Sequence, residues 1–133
     1  MTMSPTRVYI AFDFDDRDLA QLMGGQLRRP GTGYDVSNWS LKEARPETEW
    51  ETDAEYQIKR SHLVMIVLGS QTYRASGVLK EVGIARRSDV KVPCCQVAPS
   101  TLRVVNPVKD GGRWFRWTHE KIDSLITRAR REV

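Results

Sequence analysis

Three clusters and one isolated carboxylate hold most of the residues in this chain that could do chemistry. An acidic run, Asp13, Asp15, Asp16 and Asp18, follows an apolar stretch that ends at Phe12, with Phe14 set inside the run. Ser37, Asn38, Trp39 and Ser40 form a second cluster, Gly69, Ser70, Gln71, Thr72 and Tyr73 a third, and Glu81 stands apart among Val78, Leu79, Val82 and Ala85. Adjacent carboxylates after a first strand can hold a divalent cation, form the acidic pocket of a phosphate-accepting receiver domain, or favour the start of a helix through its dipole. A receiver needs an aspartate at the end of its third strand, where this sequence has Gly69-Ser70, so phosphotransfer is excluded. A metal site needs further oxygen ligands from other loops, and none is identifiable. Asp15, Asp16 and Asp18 therefore read as helix-start residues. Glu81, about one turn inside a helical pattern, either points along the helix edge toward the loops or is an ordinary exposed helix residue.

The elements that must position these residues follow from hydrophobic periodicity. Residues 7–12 (RVYIAF) and 62–68 (HLVMIVL) are continuous apolar runs, as is most of 91–97, which suits strands buried on both faces of a parallel sheet. A short strand is expected over 34–37 and another over 113–117. Leu19, Leu22, Met23 and Leu27 give a first helix its inner stripe; Trp50, Ala54 and Ile58 a second; Val78, Leu79, Val82 and Ala85 a third, over 77–87; and Ile122, Leu125, Ile126 and Ala129 the last, with Thr118 as its cap. The order is βαβα throughout, so the fold class is α/β, with a central, mostly parallel five-stranded sheet between two helical layers. In such sheets ligands bind outside the carboxyl ends of the strands, where strand order reverses. That rule brings Phe12, Asp13, Phe14, Ser37, Trp39, Ser40, Ser70 and Tyr73 to one rim.

With 133 residues the chain fits one domain, 1–133, and its 40% hydrophobic and 29% charged residues describe a folded globule. The net charge of +4 is spread over a mixed surface without a continuous basic stripe, which argues against nucleic acid as a partner. No apolar run reaches the roughly 20 residues of a membrane span, and the amino terminus has no signal-peptide core, so a cytoplasmic location is expected. Cys94 and Cys95 are adjacent within a strand and read as small buried hydrophobes. His62 begins a strand and His119 a helix, and both read as structural or solvent-facing. Walker, GxGxxG and nucleophile-histidine patterns are absent from the sequence.

In this order and spacing, RVYIAFDFDDRDLA, DVSNWSLKE, HLVMIVLGSQTY, SGVLKEVGIARR and the tail NPV with WFRWTHEKI resemble the TIR-like family of bacterial and archaeal proteins over nearly the whole chain. The resemblance implies a flavodoxin-like, TIR-like three-layer sandwich. It also implies kinship with enzymes that cleave NAD+ at the nicotinamide-ribose bond, in which a glutamate of the third helix is catalytic; Glu81 matches that position. A tryptophan common just before that helix is replaced here by Gly77. On this resemblance Phe12, Phe14 or Trp39 would stack on a ring of NAD+, and Ser37, Ser40 and Ser70 would bind ribose or phosphate oxygens, with Asp13 and Tyr73 beside them. NAD+ or a related nucleotide would be the substrate, with no bound cofactor or metal. Self-association or a second signalling or effector protein is the expected partner, in antiphage defence. A non-catalytic interaction module and a nucleoside deoxyribosyltransferase-like enzyme are the alternatives.

Overall fold

The computed structural model describes residues 5–28, 33–36 and 47–131. Five strands form one sheet: β1 (Thr6–Phe12), β2 (Tyr34–Val36), β3 (Leu63–Val67), β4 (Cys94–Ala98) and β5 (Trp114–Arg116). Their order is β2-β1-β3-β4-β5 and every pairing is parallel, an all-parallel version of the expected sheet. The helices are α1 (Arg17–Leu27), α2 (Glu47–Lys59), α3 (Ser76–Arg86) and α4 (His119–Arg131). This is the three-layer, flavodoxin-like α/β arrangement.

Alternation along β1 divides the core. Val8, Ile10 and Phe12 point to one face, where Met23 and Leu27 of α1 and Ile122 and Ile126 of α4 cover them together with Met65, Val67 and Val97. Tyr9 and Ala11 point to the other, beneath Ala54 and Ile58 of α2 and Val78, Val82 and Ala85 of α3. All five residues of β3 are buried, as its continuous apolarity requires of a central strand. Thr118 caps α4 as its sequence position suggests, accepting a 3.1 Å hydrogen bond from the backbone N–H of Lys121.

Two helical stripes differ from expectation. Leu22 of α1 is 57% exposed and Leu79 of α3 42% exposed, whereas Glu81 is fully buried. The inner face of α3 is therefore Val78, Glu81, Val82 and Ala85, a set spaced by three, one and three residues that falls on one narrow side of a helix. Leu79 lies about 100° round from Val78 and turns outward. The acidic run also differs: Phe14–Asp16 forms a turn of 3-10 helix, so only Asp18 occupies the first turn of α1.

No helix joins β4 to β5. The crossover instead folds over Gln96, a fully buried glutamine of β4. Its side-chain amide donates to the carbonyls of Val108 (3.0 Å) and Gly112 (2.7 Å), and its oxygen accepts from the Val108 N–H at 2.7 Å. Gly112 has φ +82°, and a side chain there would collide with the Cys94 carbonyl, so the entrance to β5 demands glycine.

Candidate functional site

Strand order reverses between β1 and β3, and the carboxyl ends of these strands lie level, with Phe12 opposite Val67. Just beyond them the two loops interlock. The Gly69 N–H donates to Thr72 Oγ1 at 2.7 Å, and that hydroxyl in turn donates to Asp16 Oδ2 at 3.3 Å. Thr72 is fully buried. Gly69 permits this approach, because a methyl group there would collide with the Asp16 carboxylate. Burial, and then the neighbouring Asp13 carboxylate, raise the Asp16 pKa above the ordinary carboxylate value against the opposing effect of the Thr72 hydrogen bond.

Around this junction, Asp13 is half-buried and accepts the Asp16 N–H on its backbone carbonyl at 2.8 Å. Phe14 is 44% exposed with the Arg17 guanidinium 4.9 Å from its ring centroid. Ser70 is exposed, and Tyr73 is exposed beside Arg74. These residues share one rim, as expected. Phe12 does not join them: its ring is buried in the α1 and α4 layer and presents no face for stacking at the rim. Ser37, Trp39 and Ser40 lie outside the described residues.

Glu81 occupies a different place from the cleft expected of it. It lies inside the α2 and α3 layer, on the opposite face of the sheet from Phe12, and accepts a hydrogen bond from the Tyr9 hydroxyl. Among the described residues it is the only fully buried carboxylate. Burial first, and then the Glu81 charge, push the Tyr9 phenol well above its ordinary pKa; Asp53 of α2 adds a smaller effect in the same direction. Four residues before Glu81, and so one turn nearer the strand ends on the same side of α3, is Gly77. The space a side chain would take there is bounded by the Trp50 indole of α2, 3.6 Å from where a Cβ would stand. Thr72 belongs to the third cluster named from the sequence, whereas Tyr9, Trp50 and Asp53 were not singled out by sequence as site residues; the one available signal was a tyrosine in an otherwise apolar strand.

A cleft of about 290 Å³ opens at the carboxyl ends of β4 and β5, on the α1 and α4 side, lined by Leu19, Leu22, Ser100, Thr101, Trp117 and His119 among others. The Trp117 indole N–H is held by Gln26 Oε1 at 2.8 Å. Cys94 and Cys95 are free thiols whose pKa values burial raises to about 11 and about 12, so both stay protonated and unreactive at neutral pH. No cluster with the makings of a metal site occurs among the described residues, and no helix among them is long and apolar enough to cross a membrane.

No protein-family model matches the chain, and no curated protein matches it. Among solved structures it is similar to a pilus assembly-related protein from Burkholderia pseudomallei K96243. The two align with a TM-score of 0.54 and 15% sequence identity over 97% of this chain and 92% of that one. At that identity the likeness shows the fold alone.

Proposed function

We propose that this chain is a TIR-like signalling domain of the cytoplasm that cleaves NAD+ at the nicotinamide-ribose bond and makes an ADP-ribose-type signal, linear or cyclic, in antiphage defence. The sequence resemblance motivates the reading, and one observation carries it furthest: a carboxylate at the matching position of the third helix is fully buried among apolar neighbours. Breaking the N-glycosidic bond sends its electron pair into the pyridinium ring, so nicotinamide leaves neutral and needs no acid. Positive charge develops on the ribose. Glu81 would orient the ribose hydroxyls and stabilise that charge, an effect strongest where water is excluded. Water then attacks the ribose carbon and loses a proton, or a nitrogen of the adenine ring closes a cyclic product.

The rim residues Asp13, Phe14, Ser70 and Tyr73 would meet the rest of the nucleotide, with Ser37, Trp39 and Ser40 assigned there by sequence alone. Contact between ribose and the fully buried Glu81 requires the Tyr9 hydrogen bond to yield, a rearrangement suited to control by self-association or by a partner protein. The free cysteines accord with a reducing compartment. The same enclosure of Glu81 favours a second reading, a non-catalytic interaction module in which the glutamate serves packing.

Incubation of the purified chain with NAD+, with and without induced self-association, separates the two. Nicotinamide release that falls about a hundredfold or more in Glu81→Gln, with an unchanged circular dichroism spectrum, is the expected result. Release unaffected by the substitution rejects Glu81 as catalytic. An assembled wild type that leaves NAD+ intact and still binds a partner establishes the interaction module.

A further inference from the structure

β5 ends the sheet on one side, and among the described residues its outer edge pairs with no strand. Alternation decides which backbone groups face outward. The Gln96 N–H of β4 donates to the Arg113 carbonyl, and the Trp117 N–H donates to the Ala98 carbonyl. In a parallel ladder Phe115, midway between those contacts, turns its own N–H and C=O toward β4, so the groups of Trp114 and Arg116 turn away from it. Among the described residues these outward groups have no hydrogen-bond partner. Side chains alternate as well. Phe115 faces α4, with the Lys121 ammonium 4.8 Å and the Arg113 guanidinium 5.5 Å from its ring centroid. No carboxylate among the described residues pairs with Arg113 or Lys121. Trp114 and Arg116 face the crossover on the other side, where Arg116 donates to the carbonyls of Pro99 (2.9 Å) and Leu102 (2.6 Å). That guanidinium also lies 5.4 Å from the ring centroid of Trp114, which is 40% exposed.

These features select a partner. Unpaired backbone groups at a sheet edge add an extended segment through main-chain hydrogen bonds, and the side chains beside the edge decide which segment fits. Successive side chains of an added strand point to opposite faces. Those on the α4 side meet Arg113 and Lys121, already partly ordered on the Phe115 ring, and carboxylates complement them. Those on the other side meet the Trp114 ring, which an apolar side chain covers. A second copy of this chain fits poorly, because its own β5 would set Arg113, Arg116 and Lys121 against the same cations. A strand of three residues flanked by arginines also resists indiscriminate pairing. We propose that the β5 edge takes up an extended segment of a partner protein in which acidic and apolar residues alternate, its backbone paired with Trp114 and Arg116. This docking surface is independent of the role of Glu81.

An acetylated, amidated hexapeptide alternating Glu and Val is a suitable probe, titrated into the isotope-labelled full chain and followed by amide NMR shifts. At about 0.15 M salt, where distant exposed charges are screened, saturable binding is expected with a dissociation constant on the order of 0.1–1 mM. The largest shifts should fall on the amides of Trp114 and Arg116. N-methylation of the peptide at alternate residues, made in both phases, should abolish binding in one phase and spare it in the other, since only alternate N–H groups face β5. The Arg113→Gln, Lys121→Gln double variant should bind about three- to tenfold more weakly. Trp114→Pro removes one outward N–H and leaves the β4 ladder intact, so it should weaken binding further than Trp114→Ala, which keeps that N–H. Circular dichroism establishes that each variant is folded, and the N-methylated peptides need no variant. The proposal is overturned by a wild type that binds no peptide, by both N-methylated forms binding as well as the parent, or by a Lys-Val peptide of equal affinity. A thymidylate hexamer binding as tightly would overturn it too, by making the edge a general anion surface. Shifts at Trp114 and Arg116 that grow with protein concentration alone would assign the edge to a second copy and overturn it equally.

Discussion

Replacing Tyr9 by Phe removes one hydroxyl and little else, and it isolates the contribution of the hydrogen bond that holds Glu81. Tyr9 is 7% exposed and Glu81 fully buried, so water replaces the lost donor poorly. A buried acceptor left without its donor costs about 1–3 kcal/mol, and the phenyl ring preserves the packing, so a loss in that range is expected. For a chain of this length that corresponds to a fall in Tm of about 3–10 °C. Glu81→Gln keeps an acceptor for the phenol and nearly the same side-chain shape, so its stability should change by less than about 1 kcal/mol. Combining Tyr9→Phe with Glu81→Leu replaces both polar partners by apolar groups. This double variant should be less destabilised than the sum of its single changes, with a coupling of about 1.5–3 kcal/mol. Urea unfolding at pH 7 measures the wild type, the three single variants Tyr9→Phe, Glu81→Gln and Glu81→Leu, and the double variant. The pH dependence gives an independent check: the folded protein holds the Tyr9 proton to higher pH than the unfolded chain, which releases it near 10. The associated stability is complete below that value and lost as pH rises through the folded pKa, a loss that Tyr9→Phe should abolish. A change below about 0.5 kcal/mol in Tyr9→Phe, or strict additivity in the double variant, would refute the contact as an energetic link.

Three further substitutions probe other parts of the fold. Gln96→Leu deletes three hydrogen bonds to the crossover and leaves the buried Val108 N–H without its acceptor; a loss of about 2–4 kcal/mol in urea unfolding is expected, with faster amide exchange over residues 99–113. Asp16→Asn should stabilise the protein at neutral pH. The raised pKa of Asp16 means that folding favours its protonated form, so wild-type stability falls as pH rises from its unfolded pKa, near 4, through the folded value, and the advantage of the amide should vanish below about pH 4 in thermal melts. His62→Gln should flatten the acid limb of the stability profile. Burial, then Arg130 and Arg7, lower the pKa of His62, whose Nδ1 accepts the Arg7 N–H at 3.0 Å. The unfolded chain takes up a proton near pH 6.5 that the folded protein resists, so stability is present above that value and lost as pH falls toward the folded pKa.

What was legible in the sequence divides along a physical line. Strands buried on both faces announce themselves, because every position must be apolar; β3 stands out for that reason, and with it the parallel sheet and the helices that cover it. The rim at Asp13, Phe14, Ser70 and Tyr73 follows from strand ends alone. Side-chain partnerships across the sheet are a different matter. Gln96 reads as a stray polar residue in a strand until the crossover returns over it. Leu79 outranks Glu81 in hydropathy, and only the angular spacing of Val78, Val82 and Ala85 shows which of the two faces inward. A partner of the buried Glu81, Tyr9, is 72 residues away on β1, and in the run RVYIAF its ring reads as one more member of an apolar strand. The same distance bears on function. A carboxylate tied to the centre of the sheet is poorly solvated and fixed, as charge stabilisation requires, yet it reaches a ribose only if the tie loosens. Glu81→Gln and Tyr9→Phe should therefore act oppositely on a catalytic site. The first should abolish nicotinamide release at nearly full stability. The second should lower stability while retaining or raising release per folded molecule, as measured in the assembled protein at a temperature where both variants are folded. If Tyr9→Phe abolishes release as completely as Glu81→Gln, the hydroxyl is part of the chemistry and not a restraint on it.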